Sequence, residues 1–222
     1  MTDDLLDLYT AAYFNHHRVT ELPDHDDVAK QLVTLFHPTD VLDVACATGN
    51  ILSGIREHSE SNVYLRGVDS PRLVEMVRGP SSEVVLAPFF YNDELVPVDL
   101  RKLDDKIPGW AICALQQVDH YRLDIAQWDL VICTEAAEHV PESTGIRLVE
   151  LLTRISPLIL WSAAVPGQGG TGHITERPRE FWMEQFGKHG YSIDERTERL
   201  DAMLRAGSSW KGRLQVFSRR GP

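Results

Sequence analysis

Three residues able to do proton or metal chemistry follow directly on one apolar run. In DLVICTEAAEHV, Leu130 to Cys133 give way to Thr134, and then come Glu135, Glu138 and His139. A histidine that titrates near neutral pH can act as a general base toward a hydroxyl or amine acceptor. Two carboxylates beside imidazoles can instead bind a divalent ion such as Mg2+, Mn2+ or Zn2+, which lowers an acceptor hydroxyl's pKa directly. If a helix starts where the run ends, the i, i+3, i+4 spacing puts all three on one face. A solvated first helical turn, where carboxylates favour the N-terminus, is the competing explanation. A fourth candidate, His173, sits in PGQGGTGHITE, whose glycines follow a later apolar run and mark a flexible or closely packed loop.

Whether these residues meet depends on the elements that carry them. Apolar runs alternate with amphipathic stretches along the chain, which predicts a doubly wound, mostly parallel α/β sheet with helices on both faces. The expected strands are VLDVACA from Val41, VYLRGVDS over 63–70, LVPVDL over 95–100, DLVIC, LILWSAAV, YSIDERT and RLQVFSRR. This makes seven, the last two closing the sheet as an antiparallel, hairpin-like edge. Helices are expected over 28–36, 50–58, 144–155 and through REFWMEQFGKHG. The stretch 101–127 is longer than an ordinary connection and is expected to be an insertion. In such a sheet ligands bind at the carboxyl ends of the strands. The loop after the fifth strand and the TEAAEH segment after the fourth are neighbours there, so His173 is expected to face Glu135, Glu138 and His139.

The bulk numbers exclude several classes. With 222 residues, 43% hydrophobic and 25% charged, the chain suits one soluble globular domain over 1–222. No apolar stretch reaches the ~20 residues that span a bilayer, and the acidic start MTDDLLDLYT lacks the positive region of a signal peptide. Cys46, Cys113 and Cys133 are odd in number and suggest a reducing, cytoplasmic setting. A net charge of −11 opposes a broad nucleic-acid interface.

Two further motifs suggest a bound nucleoside. VLDVACATGN takes a strand into Asp43, then through the small residues Ala45, Ala47 and Gly49 into a helix, a turn that lets a ligand approach backbone N–H groups. GVDS ends the next strand on Asp69, where a carboxylate can accept both hydroxyls of a ribose.

With these residues together, the chain resembles the class I S-adenosylmethionine-dependent methyltransferases of the small-molecule type, from about Val41 to Arg219. VLDVACATG resembles their glycine-rich loop, GVDS their ribose-binding acid and WDLVICTEAAEHV their fourth-strand segment. The resemblance implies a Rossmann-like sheet, S-adenosyl-L-methionine as cofactor and a small-molecule methyl acceptor, hydroxyl or amine. It implies that Asp43 faces the cofactor's amino end, that Ala45 and Gly49 line it, that Asp69 with Ser70 holds the ribose, and that Glu135 contributes nearby. Asp99, with Asp119 as alternative, would meet the adenine, flanked by Leu100. Ala45 and Ala47 stand where the family has glycine, which a methyl group tolerates if φ stays negative, and both are expected to adopt negative φ and pack small. The segment 1–38 would be a helical lid in which Tyr13, His16, His17 and Arg18 are candidates to touch a ligand. The set Glu135, Glu138, His139 and His173 resembles the metal ligands of small-RNA 2′-O-methyltransferases, and its E-x-x-E-H part also resembles ubiquinone-pathway O-methyltransferases. An RNA 2′-O-methyltransferase, a non-catalytic cofactor-binding protein and a nicotinamide-dependent oxidoreductase are the alternatives, and the oligomeric state stays open.

Overall fold

The structure, a computed structural model, describes residues 10–69, 95–97 and 128–221. Ser70, Asp99, Leu100, Asp119 and the expected insertion over 101–127 lie outside the described residues, as do the side chains of His17 and Arg18. The elements run α1 (Ala11–Phe36), β1 (Asp40–Val44), α2 (Asn50–His58), β2 (Tyr64–Asp69), β3 (Leu95–Pro97) and β4 (Leu130–Cys133). Then come α3 (Glu142–Ile155), β5 (Leu158–Trp161), α4 (Arg179–Lys188), β6 (Tyr191–Ile193), α5 (Arg196–Met203) and β7 (Gln215–Arg219).

The seven strands form one sheet in the order β3-β2-β1-β4-β5-β7-β6. All neighbours are parallel except β7, which runs antiparallel to β5 and β6. Successive side chains alternate between the sheet's faces, so runs such as Leu130 to Cys133 feed two cores. On one face Val131, Cys133 and Trp161 pack with Leu148 and Leu152 of α3 and Trp182 and Phe186 of α4. On the other, Leu130, Ile132 and Leu160 pack with Leu32 of α1, Ile51 and Ile55 of α2 and Leu200 of α5. This is the doubly wound sheet that the alternating sequence predicts.

Two expectations change in detail. The helix expected over 28–36 reaches back to Ala11, with Thr10 accepting from the Tyr13 N–H at 3.2 Å. Pro23 and the polar run around it resemble a boundary in sequence, but the helix passes through. The last two strands do not form a hairpin. The ERT of YSIDERT opens α5, and β7 slots between β5 and β6, so β6 becomes the edge. Asp194 drives that turn by accepting from both the backbone N–H and the guanidinium of Arg196.

Strand order reverses at β1, between β2 and β4, so the crevice for a ligand opens at the carboxyl ends of these strands. Because β7 is antiparallel, its entry at Arg213–Leu214 reaches the same edge as the exits of β4 and β5.

Candidate active site at the carboxyl edge of the sheet

The loop leaving β1 adopts a left-handed backbone at Ala45 (φ 63°), Ala47 (φ 49°) and Gly49 (φ 76°). The expectation of negative φ at the two alanines is therefore wrong. The hydrogen bonds that hold the loop explain why: the N–H groups of Ala45 and Cys46 both reach the Val68 carbonyl, and the Gly49 N–H reaches Cys46 O. The Ala47 N–H donates to Oδ2 of Asp69 at 2.7 Å. Left-handed geometry costs a non-glycine residue about 1–2 kcal/mol, so each alanine stores strain that this network offsets. Gly67 in β2 is required beside the loop, since a Cβ there would lie 2.6 Å from Sγ of Cys46. Asp43 is buried near the end of β1, and that burial, followed by the nearby Asp69, holds its carboxyl well above the usual range.

Beyond β4, the expected helix face does not form. Only a short 3-10 turn exists, Ala137–His139, and Glu135 lies before it with φ 50°. The Glu135 N–H is shared between the carbonyl and hydroxyl oxygens of Ser162. Its Oε1 accepts from the Ser162 hydroxyl at 2.7 Å, and its Oε2 is ion-paired with Arg213. These partners draw Glu135 away from the other two residues.

Glu138 and His139 turn toward the glycine loop instead. The Glu138 carbonyl accepts from the N–H groups of Ile174 (2.8 Å) and Thr175 (3.0 Å), and the Thr175 hydroxyl donates to Val140 O at 2.7 Å. These bonds dock the loop on the turn and bring His173 beside His139, their rings edge to face with centroids 5.0 Å apart. One ligand atom each from Glu138, His139 and His173 lies within 4.8 Å of the others. Of the four residues expected to converge, these three do and Glu135 does not.

The electrostatics of the cluster are unusual. Glu138 is fully buried and, among the described residues, neither carboxylate oxygen has a well-formed hydrogen-bond partner, the backbone N–H groups of Glu138 and Ala164 only partly favouring its charged form. A group in that condition is costly unless something pairs with it. Burial, reinforced by the charge of Glu135, raises its pKa to about 8. Burial lowers that of His139 to about 4, with the nearby His173 acting in the same direction. Nδ1 of His139 lies 3.3 Å from Gly172 O, and a carbonyl only accepts, so the ring carries its proton on Nδ1 and its lone pair on Nε2. A buried carboxylate beside two imidazoles offers the ligand types that zinc and transition-metal sites use.

Arg213 and Ser162, the partners of Glu135 at this edge, are residues that spacing did not reveal. Arg213 also lies over the Trp210 ring, 6.0 Å from its centroid. Trp210 meets His25 of α1 edge to face at 5.5 Å, and Asp24 accepts from Arg205 and Ser209. The N-terminal helix is thus fastened to the segment that delivers Arg213.

No protein-family model and no curated protein sequence matches the chain. Solved structures do. Magnesium protoporphyrin IX methyltransferase (ChlM) from Synechocystis PCC 6803 with bound SAH aligns with 91% of this chain and 85% of its own, at 17% identity and a TM-score of 0.57. The mitomycin 7-O-methyltransferase MmcR aligns over 90% of this chain at 14% identity and a TM-score of 0.56. A structure described as a pericyclic reaction enzyme aligns over 87% at 12% identity and 0.52. The chain spans 54% of the length of MmcR and 47% of that of the pericyclic enzyme. At these identities the likeness is one of fold: the chain has the seven-stranded, doubly wound Rossmann-like fold that those proteins share.

Proposed function

We propose that this chain is an S-adenosylmethionine-dependent methyltransferase acting on a hydroxyl or amine of a small molecule, with a divalent ion held by Glu138, His139 and His173. The observation that carries the reading is the placement of two sites on one strand edge: the Asp69-closed loop after β1, and the buried Glu138 with its two imidazoles after β4 and β5. The fold alone does not carry it, since one fold hosts many reactions. That proteins of this fold include a 7-O-methyltransferase and a methyltransferase with bound SAH supports it.

The bound groups would supply an electrophilic methyl on a sulfonium and a metal that acidifies the acceptor hydroxyl. The chain supplies position. Asp69, which pins the Ala47 N–H, would accept the ribose hydroxyls. Asp43, its carboxyl raised by burial, would regain its charge beside the cofactor's cationic amino group. His139, with its proton on Nδ1 and a pKa near 4, is a weak base at neutral pH but a good neutral ligand. This favours metal over a lone histidine base.

Isothermal titration with S-adenosylmethionine and with NAD tests the cofactor. Saturable binding of S-adenosylmethionine in the micromolar range, with none for NAD, is expected. Binding of NAD alone would overturn the reading.

A further inference from the structure

Glu176 closes the glycine loop from inside. Its two carboxylate oxygens accept three hydrogen bonds: Gly167 N–H to Oε2 at 2.7 Å, Gly169 N–H to Oε1 at 2.7 Å, and Nδ1 of His173 to Oε1 at 3.2 Å. Its carboxyl is held below the usual range, first by the Gly167 N–H and next by His173. Gly170, at φ 155°, lies directly against the imidazole, and a Cβ there would come within 2.4 Å of Nε2. The ring is therefore clamped between a carboxylate on its Nδ1 side and a bare backbone.

We propose that Glu176 is a positioning residue: its carboxylate fixes the His173 imidazole as the Nδ1–H tautomer and sets the ring's orientation toward Glu138 and His139. The inference rests on the metal reading for its purpose but not for its geometry. A carboxylate can only accept from Nδ1, so the proton belongs on that nitrogen and the lone pair on Nε2. A histidine side chain in water prefers the Nε2–H tautomer, so the carboxylate must impose this one. His139 is oriented in the same sense by Gly172 O. Both rings thus present the same nitrogen, each backed by an oxygen of the loop that Glu176 organises. Outer partners of this kind alter metal affinity by about 10–100-fold when removed.

The test uses the full chain, wild type and Glu176→Gln and Glu176→Asp, with two readouts besides activity. Gln matches the shape but keeps only one acceptor oxygen, so a donor must face a donor. Asp keeps the charge on a shorter stem. Long-range 15N NMR of the metal-free protein at pH 8 should show His173 mainly as the Nδ1–H form in the wild type. That population should fall in Glu176→Gln and return in part in Glu176→Asp. Titration with Zn2+ should show affinity reduced about 10–100-fold in Glu176→Gln, with S-adenosylmethionine affinity within twofold. If the wild type binds no Zn2+ yet the tautomer responds as stated, the positioning role stands and the metal reading falls. An unchanged tautomer in Glu176→Gln, with or without a lowered melting temperature, would overturn the proposal and leave Glu176 a loop staple.

Discussion

The imidazoles of His139 and His173 meet edge to face, ring centroids 5.0 Å apart, although they come from the exits of different strands. What joins them is backbone: Ile174 and Thr175 donate to the Glu138 carbonyl, so the glycine loop is stitched to the turn that carries His139. The pair exists because two strand exits lie side by side in the sheet.

Metal binding should therefore sort the four sequence candidates three to one. Glu138→Ala, His139→Ala and His173→Ala should each weaken Zn2+ or Mn2+ by at least about 100-fold in equilibrium titration, a loss of roughly 2.7 kcal/mol. Glu135→Ala should change it by less than about fivefold, because that carboxylate is occupied by Arg213 and Ser162. Equal losses at all four positions would place Glu135 among the ligands.

Asp69→Ala should weaken S-adenosylmethionine by at least about tenfold, since it deletes charge-assisted bonds to the ribose worth about 1.5–3 kcal/mol each at most. It should also loosen the β1 loop, visible as faster amide exchange at Ala47, whose N–H it holds. An unchanged affinity would remove the ribose assignment.

The loop alanines carry a measurable cost. Ala45→Gly and Ala47→Gly should each raise unfolding stability by roughly 0.5–1 kcal/mol, relief of left-handed strain exceeding glycine's added entropy in the unfolded chain. Cofactor affinity should stay within about threefold, because the backbone is already in the binding shape. A gain of orders of magnitude would mean that the loop is not competent with alanine.

Glu138 should leave a signature in stability against pH. Its folded pKa near 8 lies above the ordinary 4.5, so the native state holds the extra proton between those values and stability falls as pH rises through that window. His139, lowered from 6.5 to about 4, acts in the opposite sense, and its contribution grows as pH rises between those values. His139 opposes Glu138 below 6.5; from about 6.5 to 8 Glu138 contributes a slope of up to about 1.4 kcal/mol per pH unit, in the same sense as the buried Asp43, whose carboxyl is also raised. Chemical denaturation of the metal-free protein should show that decline, and Glu138→Gln should make it shallower, leaving the share of Asp43. A parallel decline in both proteins would assign it to other groups.

Much of this was legible in the sequence because it depends on local pattern. Runs such as VLDVA and LVIC announce strands buried on both faces, and the order of elements predicts the doubly wound sheet. The meeting of His173 with the E-x-x-E-H segment follows from the same topology. Glu135 was misplaced because i, i+3, i+4 spacing matters only within a helix, and here the chain makes a short 3-10 turn after a left-handed residue. Its deciding partner, Arg213, is 78 positions away and carries no motif. The left-handed alanines were equally hidden, because the demand for φ > 0 comes from the Val68 carbonyl and Asp69 across the sheet. Glu176 lies within the quoted PGQGGTGHITE, but its role depends on the loop folding back on itself.

A crystal structure with S-adenosylhomocysteine and Zn2+, collected at the zinc absorption edge, tests the central claim most directly. The account predicts ribose hydroxyls on Asp69 and one anomalous peak bonded to Glu138, His139 and His173, with Glu135 still on Arg213. A nucleoside bound away from Asp69, or no anomalous density among those three side chains at saturating Zn2+, would contradict it.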